Sequence, residues 1–450
     1  MCNHKLLHDG VVVVGAGIAG LTIAQILAEN KIPVTVVERC EAVGGLARSF
    51  RYGDCIFDIG PHRFHSDNQA VISYIRKILP NELEDIPRKS GVWFFGKYYD
   101  WPLGPMTILR LPRRILLRVC RDLVSLLSRR GEITSFEAHI VNMFGGTLYD
   151  TFFKDYTTKF LGITPDRTHA DWAKTGIDRA IIDERLQMKT LWQLIFSLFR
   201  PQPDTRFLYP TGGIGRFCDA LAERLTACGG TIITGAPVTG LRHDQDRISG
   251  VQLADRPFLP ASHVVWTAPL PLLARFTGTE PTDLRYLAMV IYNLVLDQPH
   301  RMRYQWCYYG DFDLIFNRIS DPSAFSVSTA PPGKYPLCVE ITTGIDSAIW
   351  NDPGICRAEL VEQLARVKLI DSPETVQEFH WERIPDSYPV YDIEYPEKLR
   401  VLTERLNRFS NLTMAGRTGL FWYNNMDHSM ENAFTTARRL LEQRNKAQST

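Results

Sequence analysis

Residues Val11 to Val14 form an unbroken β-branched run, the pattern of a strand buried on both faces. The run leads straight into Gly15-Ala16-Gly17-Ile18-Ala19-Gly20, after which Leu21, Ile23, Ala24, Leu27 and Ala28 recur at helical spacing. A second apolar run, Pro33 to Val37, reads as another strand and ends at Glu38. Further on, residues 69–80 alternate as an amphipathic helix, and Val92 to Tyr99 predicts a short hairpin turning through Gly96-Lys97. From Leu103 to about residue 200 the periodicity is largely helical. Residues 215–228 place Phe217, Leu221, Leu225 and Cys228 on one helical face, stopped by Gly229-Gly230. Thr231 to Thr234, with Val238 as its continuation, and His263 to Ala268 read as strands. The stretch 271–395 is mixed, with a strand at Leu337 to Thr342 and a helix near 357–369. Leu412 to Arg417 reads as a strand entering a loop, before a final helix at about 429–443.

The first elements have a chemical reading. Gly15 permits a tight turn, Gly17 lets a pyrophosphate approach the backbone, and Gly20 lets helix and strand pack closely. The helix N-terminus offers free N–H groups to an anion, and Glu38 stands where it can accept from ribose hydroxyls. A glycine-rich turn of some other α/β fold would not require strand, helix, second strand and acid to fall in this register. A dinucleotide site is therefore expected. A simple NAD enzyme would continue alternating strands and helices, whereas this chain leaves that pattern by about residue 70.

Composition narrows the class without changing this picture. The 450 residues are 45% hydrophobic and 22% charged, with a net charge of +1, so no global field recruits nucleic acid. The nine cysteines form no C-x-x-C pair, so neither a disulfide framework nor a metal site is expected. The N-terminus lacks the apolar core of a signal peptide and no run approaches the ~18 apolar residues of a membrane span. A cytoplasmic protein is the default expectation. Residues 110–130 hold seven arginines and one aspartate among leucines. They read first as a solvated helix face, with peripheral membrane or polyphosphate contact as the alternative.

Glu38-Arg39, followed by Gly44-Gly45-Leu46-Ala47-Arg48-Ser49, resembles the FAD family that contains amine oxidases, phytoene desaturases and protoporphyrinogen oxidases. That resemblance implies an α/β fold: a Rossmann-like FAD-binding domain of the GR2 type with interleaved helical and mixed α+β substrate domains. The expected division is 1–75, 206–270 and 396–450 for FAD, 76–205 for a hairpin and helical cap, and 271–395 for a mixed-sheet substrate domain. It also implies FAD contacts from Gly15, Gly17, Ala19, Gly20, Glu38, Arg39, Gly45, Leu46, Arg48, Gly60, Pro61, His62, Val238, Gly416, Arg417, Asn425 and Met426.

Within that family, Gly60-Pro61-His62-Arg63-Phe64-His65-Ser66-Asp67-Asn68 resembles the G-P-H-x-F-H-x-D-N of the bacterial UDP-galactopyranose mutases. So do Phe153-Lys154-Asp155-Tyr156-Thr157-Thr158-Lys159-Phe160, and Gly416-Arg417-Thr418-Gly419 running on to Tyr423 and Met426-Asp427. Phe316-Asn317-Arg318-Ile319 and Tyr388-Pro389-Val390-Tyr391-Asp392 are looser matches. The resemblance implies a nucleotide-sugar substrate and pyranose/furanose interconversion in which N5 of reduced FAD attacks the anomeric carbon, with NAD(P)H as a candidate external reductant. It makes His62, Arg318, Tyr388 and Tyr423 the candidate catalytic residues, and Tyr156, Phe160, Lys174, Arg179, Tyr391 and Asp392 the candidate substrate contacts. A homodimer is a candidate assembly. By residue type alone, His62 and His65 also fit packed core histidines, Tyr388 and Tyr391 strand residues, and Arg318 a structural ion-pair partner. Two departures stand out: Phe160 replaces a tryptophan, and the arginine-bearing R-L-P-V-R segment is absent. Lys174 and Arg179 are the candidate replacements for its diphosphate clamp. The competing reading is an FAD oxidoreductase of the amine oxidase or desaturase kind.

Overall fold

The structure, a computed structural model, describes residues 10–101, 110–125, 133–176 and 206–449. Its first layer is a five-stranded parallel sheet, ordered Leu412–Met414, His263–Trp266, Val11–Val14, Val34–Val37, Thr231–Ile233. Val11–Val14 lies in the middle with all four residues buried, as its unbroken β-branched run requires. Helix Ile18–Glu29 is apolar nearly all round and buries ten of its twelve residues between the sheet and helices Arg216–Ala227 and Met426–Ser449. The sheet thus draws on three separated stretches of chain.

The second layer is a seven-stranded sheet in the order Val376–Pro389, Tyr286–Leu296, Tyr335–Thr343, Arg318–Ser320, Trp306–Tyr309, Ser90–Phe94, Lys97–Trp101. It is antiparallel except where Trp306–Tyr309 runs parallel to Ser90–Phe94. Helix Arg357–Arg366 packs its apolar face on this sheet. Helices Phe136–Phe144 and Lys154–Leu161, joined by a π-turn at Tyr149–Phe153, belong to the core on the sheet's opposite face, with Val92, Phe94 and Ile291.

Three elements differ from the sequence reading. The hairpin turns at Phe95-Gly96, one residue earlier, because a two-residue turn that follows the strand twist needs positive φ at both positions, here 52° and 69°. Val238 does not continue the strand before it. The chain turns at Gly235 and Pro237 cannot donate to a ladder, so Val238–Asp244 opens a separate antiparallel sheet with Arg247–Leu253 and Leu259–Pro260. The final helix begins at Met426 and runs to Ser449, because its polar first turn is held by tertiary burial of Met426 and Asp427 rather than by an apolar period. In the basic stretch, helix Arg113–Ser125 exposes Arg113, Arg114, Arg118 and Arg121, as a solvated face does; Arg129 and Arg130 lie outside the described residues. Among the described residues no helix is long and apolar enough to cross a membrane, and no group of acids, histidines or cysteines is arranged to hold a metal.

Candidate functional site

A cleft of about 1080 Å³ opens beyond the carboxyl ends of the parallel strands, where Val14, Val37, Trp266 and the loop after Met414 reach its wall. Gly15 turns there with φ +104°, and a Cβ on it would strike Thr267 Oγ1. A Cβ on Gly20 would overlap the Gly15 carbonyl oxygen. Gly17 is different. Its φ of −77° suits any residue, and the nearest atom a Cβ would meet is Gly45 Cα at 3.9 Å. The space in front of it belongs to the cleft. Helix Ile18–Glu29 starts at Gly17 without a side-chain cap or an acid in its first turn, leaving its leading N–H groups for an anion.

Glu38 is buried at the tip of its strand. One carboxylate oxygen accepts from Ala16 N at 2.8 Å and the other from Cys40 N at 3.0 Å, so backbone donors hold it facing the cleft. Arg39, Gly45, Leu46, Arg48, Pro61, His62, Val238, Gly416, Arg417, Asn425 and Met426 line the same space. Buried Nε atoms of Arg48 and Arg417 find no acceptor on the protein. A cradle with room at Gly17, an uncapped helix start, an acid for ribose and the orphaned Nε of Arg48 fits a dinucleotide such as FAD.

At the far end, Arg318 donates through Nε and Nη2 to both oxygens of Glu340, each at 2.6 Å, and Glu340 is 1% exposed. Its Nη2 also reaches the Tyr388 hydroxyl at 3.3 Å. Arg417 lies over both the Tyr388 and Tyr423 rings, 4.7 Å from each centroid, and donates to the Asn424 and Ser387 carbonyls. Trp172 stacks on the other side of Tyr423 at 4.8 Å. Burial pushes the Tyr423 and Tyr156 phenols above their usual range, so both remain protonated donors at neutral pH. His62 is lowered to about 4, first by burial and then by the Arg318 and Arg417 charges, and is therefore neutral. Seven arginines and four carboxylates line the cleft, so its field is positive although the whole chain carries only +1.

Other candidates lie behind the wall. Tyr156 and Phe160 are stacked at 5.7 Å, with Tyr156 edge-on to Tyr308 and Phe160 edge-on to Tyr388, backing those rings. Tyr391 accepts from Tyr423 N at 2.8 Å and donates to Phe421 O, which shapes the loop rather than the cavity. Asp392 is held by Lys398 at 2.8 Å, and Lys174 is exposed and paired with Asp171 at 2.9 Å. Gly60 sits against the Glu340 carboxylate, 2.6 Å from where its Cβ would be. Arg179 lies outside the described residues. Sequence reasoning missed Glu340, Trp172, Tyr308 and Arg63. Glu340 sits in the apolar run Leu337 to Thr342, where a lone acid is a signal for a buried partner.

These buried groups set the acid limb of stability. His62 and His263 are both lowered to about 4, chiefly by burial, against roughly 6.5 when unfolded. The unfolded chain therefore binds more protons between those values, and stability falls as pH drops through that window. Asp58 opposes them. Burial raises it to about 6 despite donors from Ser49, Tyr209 and Ile214, so its contribution is present at low pH and lost as pH rises through 6. Asp58→Asn removes the opposing titration. Urea midpoints across pH 4.5–6.5 should then rise more steeply with pH, by about 1 kcal/mol per unit near pH 5.

A family model described as flavin containing amine oxidoreductase matches residues 18–441. A probable UDP-galactopyranose mutase of Klebsiella pneumoniae is 28% identical over 179 residues, 37% of this chain and 44% of that protein. The dTDP-fucopyranose mutase of Escherichia coli is 29% identical over 172 residues, 36% of this chain and 45% of that protein. The chain thus matches under half the length of these curated relatives. An L-amino acid oxidase of Crotalus durissus cumanensis is 40% identical over 87 residues, 19% of this chain and 18% of that protein. Among solved structures, reduced UDP-galactopyranose mutase superposes with a TM-score of 0.81 at 22% identity, covering 96% of both chains. A putative protoporphyrinogen oxidase from Exiguobacterium gives 0.76 at 16% identity, covering 96% of this chain and 98% of that one. These two establish the shared fold.

Proposed function

The chain belongs to the flavin-containing amine oxidoreductase family and is an FAD enzyme, and within that family we propose that it is a nucleotide-sugar mutase interconverting pyranose and furanose forms. The observation that carries the reading is the guanidinium and phenol cluster at the far end of the cleft. Arg417 over Tyr388 and Tyr423, with Arg318 beside them, offers planar donors to a diphosphate in a partly desolvated space. An amine substrate would bring an ammonium beside guanidinium groups, while the one carboxylate deep in the cluster, Glu340, is already engaged by Arg318. The polarity of the site therefore favours an anion over a cation.

In this reading Gly15, Gly17, Gly20 and the helix start hold the FAD diphosphate, Glu38 its ribose, and Arg48 and Gly416 flank it. Bound reduced FAD supplies a nucleophilic nitrogen for the anomeric carbon. The chain's own residues orient and balance charge. Tyr388 and Tyr423 donate to the leaving diphosphate without adding charge, while Arg318, fixed by Glu340, stabilises the negative charge that develops there. Neutral His62 accepts or donates one hydrogen bond at the sugar end without repelling the cationic character of the reacting carbon. Trp172, Phe160 and Tyr156 keep these groups from moving apart.

The test is to reduce the holoprotein anaerobically, add a panel of UDP-, GDP- and dTDP-sugars with cyanoborohydride, and weigh the released flavin. A flavin heavier by one sugar is expected, and its mass identifies the sugar. Unmodified flavin across the panel, with amine- or alcohol-dependent flavin reduction instead, would replace this reading with hydride-abstracting chemistry.

A further inference from the structure

Arg63 lies in the cleft wall with Tyr308, Arg318, Tyr388 and Tyr423. Its guanidinium rests on the rings of Trp306 and Phe207, 4.5 and 4.9 Å from their centroids. Among the described residues it makes no hydrogen bond or ion pair to the protein. A second guanidinium, Arg88, lies over the same Trp306 ring at 5.6 Å and donates through Nε to Ser90 Oγ. A cation placed as Arg63 is costs stability unless an anion reaches it. Glu340 is committed to Arg318, and Asp67 is turned to solvent, 3.7 Å from His65.

The charges in the cleft ask for a second contact to a diphosphate. Arg318 is neutralised by Glu340, which leaves Arg417 as the one excess charge in the tyrosine cluster. Lys174, which the family resemblance offered as a replacement clamp, is exposed and spent on Asp171. We propose that Arg63 is the diphosphate clamp of this protein, gripping from the Trp306 side the nucleoside diphosphate that Arg417, Tyr388 and Tyr423 hold from the other. The assignment rests on the nucleotide-sugar reading for the identity of the ligand. The aromatic bed holds the guanidinium at the cleft wall, where its planar fork of donors suits a bidentate phosphate contact.

The experiment compares the FAD-loaded wild type with Arg63→Met and Arg63→Gln by calorimetry, using UDP, dTDP, uridine and inorganic pyrophosphate as probes. Both variants should keep FAD with an unchanged absorbance spectrum. Each should bind pyrophosphate and the nucleoside diphosphates roughly 10- to 100-fold more weakly, and uridine as before. Without ligand, Arg63→Met should melt at a higher temperature than the wild type, because an uncompensated cation has gone, and it should gain less on adding UDP. Equal diphosphate affinity in wild type and variants overturns the clamp, as does loss of FAD from both variants. Pyrophosphate binding that depends on Arg63 without any nucleoside diphosphate binding leaves the clamp standing and overturns the nucleotide-sugar reading. A wild type that binds neither overturns both.

Discussion

Truncation of Glu340 to alanine is expected to destabilise the protein by about 3–5 kcal/mol, because it leaves Arg318 as a buried cation without its partner. The pair is bidentate, 14% and 1% exposed, and sits in the sheet register where Arg318 lies directly opposite Glu340 on the neighbouring strand. Gly60 packs against the carboxylate, so the truncation also opens a void beside Gly60. Urea unfolding at pH 7 should show a lowered midpoint with little change in slope. Glu340→Gln should cost less than the alanine change, since one acceptor remains. The double change Arg318→Met with Glu340→Leu should recover much of the loss, as replacing both members of a buried pair with apolar groups often does. A double variant no more stable than Glu340→Ala would mean that neither the orphaned charge nor the void accounts for the loss.

The second large effect separates two glycines three residues apart. Gly17→Val should abolish FAD binding, with at least a 100-fold loss of affinity, and leave the melting temperature of the apoprotein nearly unchanged. Its backbone is ordinary and a Cβ there meets only Gly45 Cα and the Gly44 carbonyl at ordinary contact distance, on the wall of the cleft, so the new side chain is expected to intrude mainly on the ligand. Gly20→Val should instead prevent normal folding. There a Cβ overlaps the Gly15 carbonyl and comes within 3.2 Å of Val13, prising the first helix off the central strand. Flavin absorbance per mole of purified protein and far-ultraviolet circular dichroism read the two outcomes. FAD retained by Gly17→Val would remove the dinucleotide cradle from this account.

The contrast shows why the two ends of the cleft were unequally legible. The cradle is built from neighbours in sequence: Val11 to Val14, three glycines, one helix and the strand that ends in Glu38. Its chemistry is mostly backbone N–H groups and missing side chains, which local pattern specifies directly. The loop at Gly416-Arg417 was legible for the same reason, since it is one continuous turn ending in a helix. The substrate end is not local. Arg318 and Glu340 are partners because two strands of the long sheet set them opposite each other, and no spacing rule encodes that register.

The aromatic cluster follows the same logic. Tyr391 and Asp392 share a motif with Tyr388, yet only Tyr388 reaches the cleft, because after Pro389 the chain leaves the sheet for the turn before helix Tyr395–Leu406. Trp172 comes from a different segment to stack on Tyr423. The sequence by itself determined the parallel strand–helix–strand unit, the anion-ready helix start and the acid at its tip, because hydrophobic period, glycine and a terminal carboxylate act within one turn of chain. Only the tertiary structure decided which cations are neutralised and which remain free, because a charge is compensated or exposed by whatever the fold brings within hydrogen-bonding distance. Arg318 and Arg63 are the same side chain in the same cleft, and the difference between them is Glu340.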